Sequence, residues 1–229
     1  TASRDVFFNA AAFAFGFTRF NIRGYDSKYT SVYINGMPMN ALDNGRAVWS
    51  LWGGLNDAMR NRQTTIGLGP TDYTFGGPGG ATQIDMRAST QWKQFRAGMS
   101  VSNRSYVLRP MFIYSTGLMK NGWAFSASGS WRHANKAQIP GSYYSAASYY
   151  AAIEKRFGEN HAINLSVFGA PRVRASNGSV TQEQVDIARD AYGKKGYYYN
   201  PYWGYQTSED GSKQEIRNAR QSHMHIPVF

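Results

Sequence analysis

From about residue 93 the chain alternates apolar and polar residues with period two, run after run, and that period excludes helix from most of its second half. Phe95, Ala97, Met99 and Val101 alternate with Arg96, Gly98, Ser100 and Ser102. Trp123, Phe125, Ala127, Gly129 and Trp131 alternate with Ala124, Ser126, Ser128 and Ser130. Met111 to Leu118 carries Phe112, Tyr114 and Leu118 on one face. Tyr149 to Phe157 sets Tyr149, Ala151, Ile153 and Phe157 opposite Glu154 and Arg156, and Ile163, Leu165 and Val167 follow with Asn164 and Ser166 between them. Each run is therefore a strand with one apolar and one polar face. A further strand is expected to start at His223 to Phe229.

A soluble β-sandwich shows the same alternation, so length and connections must discriminate. The runs are about 9–11 residues, what a tilted strand needs to cross a bilayer. Trp123 and Trp131 close the two ends of one apolar face, where interfacial aromatic girdles fall. Lys120-Asn121-Gly122 and Gly158-Glu159-Asn160 read as tight turns at one end of the sheet. The connections from Ala134 (about 14 residues) and Pro171 (about 50) lie at the other end, an asymmetry typical of outer-membrane barrels, to which the first connector, Ser105-Tyr106-Val107, is a short exception on the long-loop side. Composition agrees. Charged residues make up 17%, against about 25% in a typical soluble domain. With 16 Tyr, 13 Phe, 6 Trp and 24 Gly, the chain is rich in strand and turn formers. No apolar stretch reaches the roughly 18 residues of a transmembrane helix, which leaves a barrel as the form in which such a chain spans a membrane.

The first 90 residues read differently, as a small α+β region. Phe20-Asn21-Ile22-Arg23 and Thr30-Ser31-Val32-Tyr33-Ile34 are short strands ending in turn signals, Gly24 and Asn35-Gly36. Leu55, Ala58, Met59 and Arg62 have helical spacing, with Asn56 as a cap. Gly76-Gly77-Pro78-Gly79-Gly80 breaks regular structure and is expected to be flexible backbone leading into Ala81 to Met86. Within the long final connection, Thr181-Gln182-Glu183-Gln184 is a capping box. Val185, Ala188 and Tyr192 then share a face before Gly193, so a short helix is expected. Beyond it, Tyr197, Tyr198, Tyr199, Tyr202, Trp203 and Tyr205 form an aromatic patch in a loop.

Phe20 to Asp26, then Val32 to Met39 with its Asn35-Gly36, then Tyr73 to Ile84 with its glycine-rich centre, resembles in order and spacing the plug of TonB-dependent outer-membrane receptors, especially the SusC-like branch. The resemblance implies that residues 1–90 are the C-terminal part of a plug domain. It implies that residues 91–229 are the first five to six strands of a partial transmembrane antiparallel β-barrel, with an extracellular loop at about 171–222. Arg23, Gly24, Asn35, Gly36, Gly76, Gly77, Gly79 and Gly80 are then structural plug residues, Arg23 pairing with a carboxylate inside the barrel rather than touching substrate. The implied function is active import of a nutrient (oligosaccharide, peptide or metal chelate) through a plugged barrel in the outer membrane. The implied partners are TonB, through a segment not in this sequence, a SusD-like surface lipoprotein, outer-membrane lipid and the remainder of the barrel, since five or six strands leave open edges.

No chemistry on substrate is expected. The glycine loop lacks the Gly-Lys-Ser/Thr of a phosphate cradle, and with no Cys there is no thiolate ligand or nucleophile. The scattered aspartates form no acid/base pair, so the expectation is no enzyme, no cofactor and no catalytic residue. His223 and His225 lack a third ligand in sequence, so no metal site is assigned. The net charge of +11 is spread along the chain rather than clustered, and nucleic acid is not expected as a partner. The aromatic patch is the candidate substrate site, because rings stack on ligands while hydroxyls hydrogen-bond them. Its alternative is a girdle or a loop packed on itself. Two competing readings of the whole chain stand beside import: an accessory barrel subunit of a larger envelope complex, and a soluble basic β-domain binding glycan or single-stranded nucleic acid.

Overall fold

The computed structural model describes residues 24–102, 106–136, 138–175 and 180–217, and the backbone pairing of 220–222 and 225–228. Arg23 and the Phe20–Arg23 run lie outside the described residues, as do His223 and the 103–105 stretch of the first connector. The structure is all-β apart from one short α-helix among the described residues. No helix is long and apolar enough to cross a membrane. Two compact units form, residues 1–48 with 62–85 and residues 49–61 with 86–229.

The first unit is a four-stranded sheet ordered β2-β1-β4-β3, from β1 (Ser31–Ile34), β2 (Met37–Pro38), β3 (Asn61–Thr65) and β4 (Ala81–Asp85). β1 and β2 form the hairpin that Asn35-Gly36 signals. Both turn residues take positive φ (49° and 83°), the geometry of the two-residue turn that matches strand twist. β1 runs parallel to β4, pairing Val32 with Thr82 and Ile34 with Ile84. Burial of Val32, Ile34, Ala81 and Ile84 supplies the apolar core.

The second unit is an antiparallel meander. Its strands are β5 (Gln94–Val101), β6 (Leu108–Ser115), β7 (Trp123–Ala134), β8 (Tyr144–Phe157), β9 (His161–Gly169) and β10 (Arg172–Arg174). β9 and β10 follow one another along β8, pairing with its second and first halves. The expected sixth strand is present as β13 (Arg220–Ser222) on β10 and β14 (His225–Val228) on β9. Among the described residues, β5 and β13–β14 are the sheet's two open edges.

Three boundaries differ from the sequence reading. β6 starts at Leu108 rather than Met111 and ends at Ser115, because Gly117 turns the chain at φ 62°. β8 starts at Tyr144 rather than Tyr149, which shortens the preceding connector to residues 135–143. The apolar period is silent there because Ser145 and Ala147 carry little side chain on that face. Leu55–Arg62 is not a helix. A single α-turn forms, Met59 N–H to Leu55 O at 3.1 Å, and residues 61–65 continue as β3.

The reason lies in what holds this segment. The Gly53 carbonyl accepts from Ser148 Oγ (2.7 Å) and Arg132 Nη2 (2.8 Å), and the Gly54 carbonyl from Ser130 Oγ (2.8 Å) and Arg109 Nη2 (3.0 Å). The Ala58 carbonyl accepts from Gln91 Nε2 at 3.1 Å. Carbonyls bound sideways by a sheet do not need helical partners.

The sheet buries its polar face and exposes its apolar one. Ser126, Ser128, Ser130, Ser148, Glu154 and Ser166 are buried with Ala124, Ala146, Tyr150 and Phe168. Opposite them, Phe112 (51%), Tyr114 (52%), Phe125 (39%), Trp131 (45%) and Ile163 (69%) stand exposed. The buried face is covered by 49–61 and by Met86–Gln91. Tyr150 Oη donates to Met86 O (2.5 Å), while Glu154 accepts from Ser89 N–H (3.1 Å) and pairs with Arg156 (3.2 Å).

Candidate binding cleft in the long loop

The long loop between β10 and β13 is built from local signals. Thr181 Oγ1 accepts from Gln184 N–H (3.3 Å) and Gln184 Oε1 accepts from Thr181 N–H (3.0 Å), so the capping box starts helix α1 (Gln182–Tyr192) as the sequence predicts. Gly193 ends it, and a 3-10 turn, Gly193–Tyr198, folds back on the helix. Gly196 permits this approach, since a Cβ there would lie 2.3 Å from the Arg189 nitrogen. A hydrogen bond from Arg189 to Tyr197 raises the guanidinium pKa.

Past this turn the chain is fixed to the β7–β8 connector. Asn200 is 3% exposed; its Nδ2 donates to Pro140 O (2.9 Å) and its Oδ1 accepts from Tyr202 N–H (3.1 Å). The Trp203 indole lies over Gly141, where an added Cβ would meet Cδ1 at 2.1 Å. Trp203–Tyr205 is not loop, as expected from sequence, but the start of strand β11 (Trp203–Thr207), which pairs with β12 (Lys213–Arg217). The register sets Trp203 opposite Arg217 and Tyr205 opposite Glu215. Trp203 Nε1 donates to Glu215 Oε1 (2.7 Å), and Arg217 pairs with the same carboxylate. These bonds, Arg217 first and Trp203 second, hold the Glu215 carboxyl below the usual range.

The six aromatic residues do not form one patch. Tyr198, Tyr199 and Trp203 line a cleft of about 520 Å³ with Tyr192, Lys195 and Gln138. Tyr202, Trp203 and Tyr205 line a shallower one of about 390 Å³ with Ile216 and Arg217. Tyr197 lines neither and faces Arg189. The larger volume falls in the range of small-molecule sites. Chemically it offers ring faces for stacking, phenol hydroxyls, an amide and one ammonium. Sequence reading missed Gln138 and Lys195 as lining residues. Lys195 follows directly on the helix end, whereas Gln138 belongs to another connector and reaches the cleft only through tertiary contact.

The glycine positions lie elsewhere, in the first unit. Gly24 takes φ 79° with open space around it. The Gly76–Gly80 loop is closely packed rather than loose. A Cβ would fall 2.4 Å from Gly67 O at Gly76, 2.7 Å from Tyr29 O at Gly77 and 2.6 Å from Thr30 Oγ1 at Gly79. Gly80 has φ 88°, and a Cβ there would sit 2.2 Å from Thr65 O. Its carbonyl receives Ser31 N–H at 3.1 Å, aligning β1 with β4. Comparison of the chain with protein-family models, curated proteins and solved structures found no match.

Proposed function

We propose that this chain is part of an outer-membrane, TonB-dependent active transporter of the SusC-like kind, in which residues 91–229 contribute strands to a barrel and the earlier residues belong to its plug. The observation that carries this reading is the inverted amphipathicity of the eight-stranded sheet. In water a sheet buries its apolar face; here serines are buried and Phe112, Tyr114, Phe125, Trp131, Ile163 and Leu165 are exposed. An apolar band around a polar interior is what a bilayer solvent requires. The outward positions of β8 run from Ala147 through Tyr149, Ala151 and Ile153 to Phe157, with Lys155 next to the last of them. Those ten steps span about 34 Å along the strand, or about 26 Å normal to the bilayer at a tilt near 40°. The apolar band of such barrels is about 25 Å tall.

Lys155 at the tight-turn end supports the same orientation of the band. Its ammonium lies 5.1 Å from the Trp123 ring and 5.8 Å from the Phe157 ring, a cation set among interfacial aromatics. The open edges β5 and β13–β14 call for further strands before the sheet closes. Segment 49–61 on the serine face then occupies the lumen, and the Tyr198–Trp203 cleft is the place where cargo is first held. A soluble glycan or nucleic-acid module would have no use for the bare apolar face.

The test is fractionation of cells expressing the full-length gene product, combined with uptake assays in strains with and without TonB. The expected result is recovery in the outer membrane, solubility only in detergent, and uptake that stops without TonB. Recovery in the soluble fraction would sink the reading. Outer-membrane recovery with TonB-independent function would favour the accessory-subunit alternative.

A further inference from the structure

Arg109 on β6 and Arg132 on β7 extend from the buried face of the sheet toward consecutive carbonyls of one turn, Gly54 O (3.0 Å) and Gly53 O (2.8 Å). Arg132 also lies 3.4 Å from Ser148 Oγ, and its guanidinium carbon 5.5 Å from the Tyr144 ring. Among the described residues neither guanidinium pairs with a carboxylate, although Asp57 on the same covering segment is paired with Arg60 (2.6 Å) and Arg96 (3.2 Å). The Nε atoms of both Arg109 and Arg132 are buried without a hydrogen-bond partner. Two like charges drawn to one turn repel each other, and neutral carbonyls offset only part of that repulsion and desolvation. Each of the two carbonyls already has a neutral donor besides the arginine, Ser130 Oγ at Gly54 O and Ser148 Oγ at Gly53 O. The arginines therefore carry an excess of positive charge on this face, and a guanidinium presents its donors in a fork suited to oxyanions.

We propose that Arg109 and Arg132 form an anion station in the lumen, and that the cargo of the transporter is negatively charged, bearing carboxylate, sulfate or phosphate groups. This rests on the transport reading, which makes the serine face a lumen. The same sign recurs on the cargo's route: Lys195 lines the aromatic cleft, and the chain's net charge of +11 attracts anionic solutes. Rings of Arg and Lys are how pores select anions. Cargo enters the aromatic cleft by its ring-stacking face and is passed to a site where the guanidiniums take its anionic group, with no bond made or broken.

The probe is inorganic phosphate, titrated by calorimetry against the full-length gene product in detergent at fixed ionic strength. The expected result is saturable binding by the wild type and its loss in the Arg109→Gln/Arg132→Gln pair. Because that pair also loses two clamp bonds, the Arg109→Lys/Arg132→Lys pair serves as the second variant. It keeps the charge and a carbonyl donor but loses the fork, so affinity falls by about tenfold. Absence of saturable binding by the wild type, or unchanged affinity in the lysine pair, overturns the proposal. Fractionation of the same cells reads the transport hypothesis separately. Outer-membrane protein that binds no phosphate defeats the anion station alone, whereas soluble protein that binds phosphate defeats the transporter.

Discussion

Ala151 lies on the exposed face of β8, in the cross-strand row Tyr114–Ala127–Ala151–Val167. Along β8 it is four steps from Ala147 and six from Phe157. At a tilt near 40° it therefore sits about 10 Å inside one rim of the band and about 16 Å inside the other, near the midplane. Arginine at that depth costs about 2–4 kcal/mol in a barrel, and about 0–1 kcal/mol near an interface. Ala147, which pairs with Trp131, marks the rim. Ala151→Arg should therefore destabilise the bilayer-inserted protein by about 2–4 kcal/mol, and Ala147→Arg by less than about 1 kcal/mol. If the face is in water, both changes stay within about 0.5 kcal/mol, as exposed substitutions usually do. The assay is reversible denaturant unfolding in lipid vesicles, comparing each variant with wild type. Equal, near-zero effects at the two positions would refute the lipid-facing assignment, whatever the protein's cellular location. A depth-dependent cost supports it, because only a low-dielectric slab distinguishes two alanines that are both exposed.

The four-stranded sheet gives a second prediction. Gly80→Ala places a methyl at φ 88° and 2.2 Å from Thr65 O, so it should destabilise the first unit by more than about 1 kcal/mol. Hydrogen exchange of β1 and β4 amides reads this, and unchanged protection would count against the packing described. In the loop, Trp203→Ala removes a wall shared by both clefts and the cover of Gly141. On the transport reading proposed above, cargo affinity should fall by about tenfold or more, as for a buried aromatic anchor, with recovery in the membrane fraction unchanged. The pH dependence follows from Glu215, whose carboxyl pKa is depressed in the folded state by Arg217 and Trp203. A depressed pKa contributes stability that is present above the unfolded value, about 4.3, and lost as pH falls through the lower folded value. Difference fluorescence between wild type and Glu215→Gln should therefore show an acid-side change near Trp203 that the variant lacks. A wild-type signal flat from neutral to acid pH would rule the coupling out.

How much of this was legible in the sequence depends on the range of the interactions. The strands β5 to β9 announce themselves because side chains alternate faces every residue, a property of the backbone alone. Their tight turns, Asn35-Gly36, and the capping box at Thr181 were equally readable, since each signal lies within a few residues. The start of β8 is not legible, because Ser145 and Ala147 carry little side chain on the outward face, and the end of β6 is set by the turn at Gly117. The helix expected over Leu55–Arg62 failed for a different reason. Its spacing was real, and Leu55, Ala58 and Met59 are buried, but Arg109, Ser130, Arg132 and Ser148 claim the carbonyls just before it.

By itself, then, the sequence determined that the stretch from about residue 93 to 169 is a sheet with one apolar and one polar face, because period two admits no other regular structure. It also marked the loop aromatics as a group. Only the tertiary structure decided which face is covered: the polar one, by a segment more than 70 residues upstream of Ser130 and Arg132. It divided the aromatics between two clefts, because Asn200 and Trp203 are anchored on Pro140 and Gly141 of another connector. It also turned the Gly76–Gly80 run from expected slack into close packing, since the atoms that exclude a Cβ there belong to Tyr29, Thr30, Thr65 and Gly67, outside the run. Alternation is fixed by local geometry, whereas burial, clefts and close approach depend on partners that no local period encodes.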